Sequence, residues 1–209
     1  MKIVLASNSP RRRELLSGLG LDFEVRTLQG LDESYPDGLQ MEEIPQYISR
    51  KKAAAYTLEP DELLITADTI VWLDGEVLGK PADEAEAKEM LRKLSGKTHQ
   101  VVTGVTLSYI GQLDNLTIGQ FNCEIVKSSN CQIKHHSFSS VSQVTFAQLS
   151  EAEIDHYVTH YRPFDKAGSY GIQEWIGYIG VTSIEGSYFN VMGLPVQRLY
   201  SEMKKLNII

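Results

Sequence analysis

The run Leu63-Leu64-Ile65-Thr66-Ala67-Asp68-Thr69-Ile70-Val71-Trp72-Leu73 holds one carboxylate among residues that want to be buried. An acid in such a place needs a partner, a metal or a task, because burying it alone is costly. Asp68 could bind Mg²⁺ or take a proton from water; the plainer reading is a strand-end aspartate capping a loop. A second stretch, Ser7-Asn8-Ser9-Pro10-Arg11-Arg12-Arg13, follows another apolar run and sets three arginines together in a chain of net charge −7. Pro10 and Ser9 mark a helix start there. Arginines at that end oppose the helix dipole, and an anion would offset the cost. The Ser7 and Ser9 hydroxyls and the guanidinium forks suit phosphate oxygens. The competing reading is a solvated basic turn. The pattern is neither a Walker loop nor a dinucleotide fingerprint.

Three further places are weaker. Gly79-Lys80-Pro81 puts a lysine at a rigid turn, where it reaches a phosphate or simply lies on the surface. Phe164 to Gln173, FDKAGSYGIQ, has glycines that permit close backbone approach, and Gln173 carries a donor and an acceptor that match a base edge. A structural turn explains it equally. Asp32 and Glu33 are adjacent acids in a Gly/Pro-rich loop, able to hold a divalent cation or to stay solvated. Cys123 and Cys131, with His135 and His136 near them, fit no strong zinc spacing and read as free thiols.

The elements that must position these groups alternate along the first half. Lys2 to Ala6 reads as a buried strand and Pro10 onward as a helix with Leu15, Leu16 and Leu19 inward, ended by Gly20. Phe23 to Thr27 reads as a strand, Leu28 to Gln40 as loop, and Ile44 to Tyr56 as a helix with Ile44, Tyr47, Ile48 and Ala55 on its inner side. Glu62 to Leu73 is a strand, Asp74-Gly75 a hairpin signal, and Asp83 to Ser95 an amphipathic helix stopped by Gly96. Thr98 to Tyr109 and Phe138 to Phe146 alternate like paired antiparallel strands. Ser150 to Tyr161 is a helix capped by Ser150 and Glu153, and Gly168 to Gly186 is glycine-punctuated with strand-like stretches. Met192 to Leu206 has a helical pattern entered through Pro195. The pattern predicts a mixed α/β sheet flanked by helices.

A chain of 209 residues predicts one domain or one two-lobed unit. No apolar run nears the roughly 20 residues of a membrane helix, and the start is too short for a secretion signal, so the reading is cytoplasmic. With 20 basic against 27 acidic residues, broad nucleic-acid binding is disfavoured.

Six segments in order, ASNSPRR, ADTIV at 67–71, GEVLGKP at 75–81, LRKLSGKTHQVVTGV at 91–105, DKAGSYGIQ at 165–173 and GSYFNVMGLP at 186–195, resemble the Maf family of nucleoside triphosphate pyrophosphatases. The resemblance runs through nearly the whole chain as a single domain, 1–209. It implies an ITPase-like fold with a cleft between two lobes, and hydrolysis of a nucleoside triphosphate to the monophosphate and pyrophosphate. The family's catalytic acid falls on Asp68. Its phosphate-binding positions fall on Ser7, Arg11, Arg12, Lys52 and Lys80, and a metal- or water-binding acid on Glu33. Positions tied to base choice fall on Arg11, Thr69 and Gln173. Threonine after the catalytic acid, with GIQ, is similar to the dTTP/UTP branch, modified pyrimidine nucleotides included. A divalent metal, Mg²⁺ or Mn²⁺, held at Glu33 and Asp68, and a homodimer are implied as well. The segment Ile110 to His136 departs from the family as an atypical hairpin insertion. The alternative in another class is a non-catalytic nucleotide-binding regulator of cell division.

Overall fold

The computed structural model describes residues 1–112 and 131–209. The middle of the expected insertion, Cys123 with it, therefore lies outside the described residues. Its flanks extend two strands beyond the predicted ends: β5 spans Thr98–Gln112 and β6 spans Cys131–Phe146.

The other strands are β1 (Lys2–Leu5), β2 (Phe23–Val25), β3 (Glu62–Leu73), β4 (Glu76–Leu78) and β7 (Val181–Glu185). They form one sheet in the order β2-β1-β3-β5-β6-β7, with β4 paired to β3. β1 runs parallel to β2 and β3, while β4 on β3 and β7 on β6 are antiparallel, so the sheet is mixed as predicted. Side-chain contacts Thr98–Thr145, Thr106–Ser137 and Ser108–His135 descend on one strand as they rise on the other, the sense of an antiparallel pair. Parallel strands covered on both faces read as continuous apolar runs, and β1 and β3 do so.

The chain divides into two compact units. The first comprises residues 1–68, 104–139 and 194–209. Its helices are α1 (Pro10–Ser17), α2 (Glu43–Ala54) and α7 (Val196–Lys205). Helix α7 buries Val196, Leu199 and Met203. Helix α2 buries Ile44, Pro45, Ile48, Ser49 and Ala53, whereas Tyr47 and Ala55 face solvent. The predicted inner face was rotated, because the residues that seat α2 include a serine that apolar periodicity does not count. Gly104 on β5 explains how α2 comes close: a methyl group there would overlap the Pro45 carbonyl carbon and the Gln46 amide nitrogen.

The second unit comprises residues 69–103 and 140–193. It holds α3 (Glu84–Leu94), α4 (Glu151–Tyr161), α5 (Trp175–Gly180) and α6 (Tyr188–Met192). Helix α3 buries Ala87, Met90, Leu91 and Leu94 at helical spacing, and Asp83 caps it. The predicted capping box at Ser150 and Glu153 is present. The glycine-punctuated segment was only partly strand: Ala167–Ser169 is a 3₁₀ turn and α5 is helical before β7. The last predicted helix is α7, entered through Pro195 as expected; only Met192, at the start of the predicted range, belongs instead to α6, which Gly193 ends at φ 114°.

The second unit's core contains an aromatic cluster. His99 meets Phe146 and Tyr170 edge-on at centroid distances of 5.3 and 5.4 Å, and its Nε2 lies 2.7 Å from the Tyr170 hydroxyl. Burial pushes the imidazole down to about 4.

Two measurements check these points. Gly104→Ala should lower stability by about 1–3 kcal/mol in urea unfolding, the range for overpacking; Gly79→Ala, with open space around its added methyl, should not. A histidine neutral in the fold and protonated in the unfolded chain contributes stability that is full above its unfolded value of 6.5 and lost as pH falls towards 4. Between pH 7 and pH 5, wild type should therefore lose about 2 kcal/mol more than His99→Gln.

Candidate active site

β1 is paired to β3 only as far as Leu5 and Ile65, with one further bond from Ala6 N–H to the Ile65 carbonyl. There the chain leaves the sheet through Ser7-Asn8-Ser9 and enters α1. The β1 pairing of β3 stops at Ile65 and the β4 pairing starts at Val71, so the β3 backbone between them needs other partners. The Arg12 guanidinium supplies one: its Nη1 donates to the Ala67 carbonyl at 2.9 Å. Ser9 caps α1 as predicted, accepting from the Arg12 amide, and the buried Ser7 hydroxyl accepts from Ser9 N–H at 3.2 Å. The cost of removing Arg12 from water lowers its basicity; Asp68 and Glu33 nearby raise it, and Arg11 lowers it. This is the carboxyl end of β1, beside the middle of β3, and open α/β sheets bind ligands at such carboxyl ends.

Asp68 comes next on β3, 8% exposed. Its Oδ1 accepts from Lys52 Nζ at 2.7 Å, and the same ammonium lies 2.8 Å from Glu33 Oε1. The structure thus brings Ser7, Arg12, Glu33, Lys52 and Asp68 around one strand end. Arg11, one position before Arg12, is half-buried on the same first turn. The adjacent acids do not act as a pair. Asp32 accepts from Lys51 at 2.6 Å and from the amide and hydroxyl of Ser34, which together hold its carboxyl far below the usual range. Glu33 turns to Lys52 instead. Two hard carboxylates on one ammonium are donors of the kind Mg²⁺ or Mn²⁺ takes, one or two from protein with substrate phosphates completing the shell. Among the described residues no group of three or more His, Cys, Asp or Glu side chains is arranged to hold a metal unaided.

A second contact explains why Lys52 meets Asp68. Ser49 lies one turn before Lys52 on α2, and Thr66 lies two residues before Asp68 on the same face of β3. Thr66 Oγ1 donates to the Ser49 carbonyl at 2.7 Å, and Ser49 Oγ is 2.8 Å from Thr106 Oγ1 on β5. Both hydroxyls are fully buried. They form a rung below the Lys52–Asp68 rung and fix how far α2 slides along β3. Sequence reasoning missed both residues, since a hydroxyl between helix and strand has no local signature.

In the second unit, Thr69 Oγ1 lies 2.9 Å from Thr103 Oγ1, and Thr103 donates to the Asn190 carbonyl. Asn190, from the GSYFNVMGLP segment, is buried and donates to the Val101 carbonyl and Ser142. Lys80 is exposed in the turn after β4. That turn is joined to the DKAGSYGIQ loop by the Gly168 amide, which donates to the Gly79 carbonyl at 3.0 Å. Gly168 has φ 67°, and a methyl there would press on Val71, so a glycine is required. Gln173 follows in that loop, half-buried.

The family model for Maf-like proteins matches residues 2–206, and the chain belongs to that family. It is 62% identical to the dTTP/UTP pyrophosphatase of Phocaeicola vulgatus over 207 residues, 98% of this chain and 96% of that one. It is 58% identical to the dTTP/UTP pyrophosphatase of Bacteroides fragilis (strain ATCC 25285) over 98% of this chain and 96% of that one. For the protein of that name from Porphyromonas gingivalis (strain W83), identity is 52% over 97% and 93%. Among solved structures, it is similar to a nucleoside-triphosphatase, dITP/XTP pyrophosphatase, of Mycobacterium abscessus at 14% identity and TM-score 0.39, covering 100% of this chain and 97% of that one.

Thr66→Val keeps the shape and deletes the rung's donor. It should cost about 0.5–1.5 kcal/mol in urea unfolding, the net worth of one hydrogen bond, since the Ser49 carbonyl keeps its place in the helix ladder. Ser137→Ala, at the half-buried end of the same hydroxyl chain, should cost less.

Proposed function

We propose that this protein hydrolyses nucleoside triphosphates, dTTP and UTP foremost and modified pyrimidine nucleotides with them, to the monophosphate and pyrophosphate. The observation that carries the reading is the group at the middle of β3, where β1 ends: Asp68 and Glu33 on one lysine, beside Arg12 and the start of α1. The names of relatives more than half identical over nearly the whole chain support the same choice of substrate.

In this reading Ser7, Arg11, Arg12, Lys52 and Lys80 bind and neutralise the phosphates. Guanidinium forks and ammonium points divide that work, since phosphoryl transfer is chiefly positioning and charge stabilisation. Asp68 orients a water and takes its proton as the oxygen attacks the α-phosphorus; the α–β bridging oxygen leaves with pyrophosphate. Bound Mg²⁺ or Mn²⁺ would be held by Asp68 and Glu33 with phosphate oxygens and would supply charge neutralisation. Arg11, Thr69 and Gln173 choose the base. Lys52 holds the Asp68 carboxylate in place before substrate arrives.

The test is product analysis with purified protein, Mg²⁺ or Mn²⁺ and a panel of nucleotides. Pyrophosphate and monophosphate should appear fastest from dTTP and UTP. Asp68→Asn should lower turnover ~10²–10⁴-fold, the usual loss of a general base, with nucleotide binding kept. Gln173→Ala should change the ranking of bases more than the rate on the best one. Binding without turnover of any nucleotide by wild type would replace this reading with the regulatory one.

A further inference from the structure

The turn Gly171-Ile172-Gln173-Glu174 is closed from two sides. The Glu174 amide donates to the Gly171 carbonyl at 2.9 Å. The Gly171 amide donates to the Tyr157 hydroxyl at 3.0 Å, and that hydroxyl donates in turn to Glu174 Oε2. A ring of hydrogen bonds therefore runs from the Gly171 backbone through a phenol and a carboxylate and back. Glu174 is held at its other oxygen, where Oε1 lies 3.2 Å from Lys166 Nζ, and Lys166 lies 2.8 Å from Asp165 Oδ1. Tyr157 belongs to α4, is fully buried, and stacks on Tyr161 at 5.1 Å. The turn is thus fastened to a rigid helix by one phenol oxygen that both donates and accepts.

Gln173 is inside this turn. Its Oε1 is buried and has no hydrogen-bond partner among the described residues. Buried acceptors are nearly always satisfied, so an orphaned one calls for a donor from outside the chain. A methyl group on Gly171 would lie 3.0 Å from Gln173 Nε2 and 3.0 Å from Glu174 Oε2. The amide and the carboxylate therefore flank the glycine, and whatever fixes Glu174 limits where the Gln173 amide can go.

We propose that Tyr157 and Glu174 are positioning residues for base choice: by closing the 171–174 turn they hold the Gln173 amide so that its free oxygen receives the imide N–H of a uracil or thymine ring. Uracil and thymine present that donor between two carbonyl acceptors, and a side-chain amide offers the matching acceptor and donor. Cytosine presents a bare ring nitrogen at the same position and leaves the amide oxygen unpaired. The proposal rests on the pyrophosphatase reading.

The experiment compares kcat and KM for UTP and CTP in wild type, Tyr157→Phe, Gln173→Ala and the double variant. Tyr157→Phe keeps the stacked ring and deletes both hydrogen bonds. It should raise KM for UTP about 3–10-fold with little change in kcat, and shrink the UTP over CTP preference by the same factor, the size of one or two hydrogen bonds. It should add nothing where Gln173 is already alanine, since the two act through one contact. Glu174→Gln, which can still accept from the phenol, should keep most of the preference that Glu174→Ala loses. Equal losses on UTP and CTP, or effects that add to those of Gln173→Ala, would overturn the proposal. If Tyr157→Phe does not fold, the two Glu174 variants decide by the same ratios. Wild type without turnover would sink the pyrophosphatase reading and this proposal with it. Wild-type turnover with preferences unmoved in the variants sinks the positioning role alone.

Discussion

A carboxylate buried on an apolar strand has to be matched by a cation that arrives from elsewhere, and the first unit is arranged around that requirement. Removing one partner of a buried ion pair typically costs about 3–5 kcal/mol, because the other charge is left uncompensated. Lys52 can meet Asp68 only if α2 lies at one height along β3. The Thr66 hydroxyl on the Ser49 carbonyl and the Ser49–Thr106 hydroxyl pair set that height, and Gly104 lets the start of the helix come down onto β5. The end of β1 at Leu5 then leaves the β3 edge open, and Arg12 reaches the Ala67 carbonyl in the gap.

β3 carries a second buried carboxylate, and the contrast shows what is special about the first. Glu62, at the other end of the strand, is 1% exposed and receives both terminal nitrogens of Arg26. The Glu59 amide donates to it as well. Hydrogen bonding to Arg26 lowers its pKa against the burial that would raise it. That is a fork matched to a carboxylate at the entry to the sheet, and it serves the fold. Asp68 accepts from the Lys52 ammonium, with the Arg12 guanidinium nearby, and it shares that ammonium with Glu33, whose side chain is 44% exposed. Rearranging an exposed partner costs little, because solvent screens what it gives up. The Asp68 site is therefore the one on this strand that can exchange its cation contacts when an anionic ligand arrives.

Much of the scaffold was legible in the sequence because its signals are local. Ser9 before Pro10, Asp74-Gly75 with φ values of 51° and 91°, and the Ser150–Glu153 box each act within four residues. Asp68 was legible for a related reason, since one acid in an apolar run is anomalous wherever the strand ends up. Other features depend on partners far away in the chain. Nothing near Tyr47 says that Ser49 will seat α2, because the evidence is a hydroxyl contact with residue 106. Helix α5 was hidden because it is one and a half turns long, with two glycines and a tryptophan, too short for periodicity to declare itself. The divergence of Asp32 and Glu33 turns on which of two adjacent lysines each one finds.

The two positioning devices differ in kind, and the difference follows from what each has to hold. A carboxylate and an ammonium attract over several ångströms, so the first unit needs only a fixed helix height, and two hydroxyls supply it. A neutral amide has no such reach. Its hydrogen bonds weaken steeply with distance and angle, so it has to be aimed by its own backbone. The 171–174 turn meets that need with a closed ring anchored on Tyr157, while the lysine at 166 fastens the carboxylate in the ring. Hydroxyls that set height and a phenol that sets direction involve no residue in common. The fit of the glutamine and the charge pair on β3 thus rest on separate sets of hydrogen bonds, one aimed by its own backbone and the other by the height of a helix.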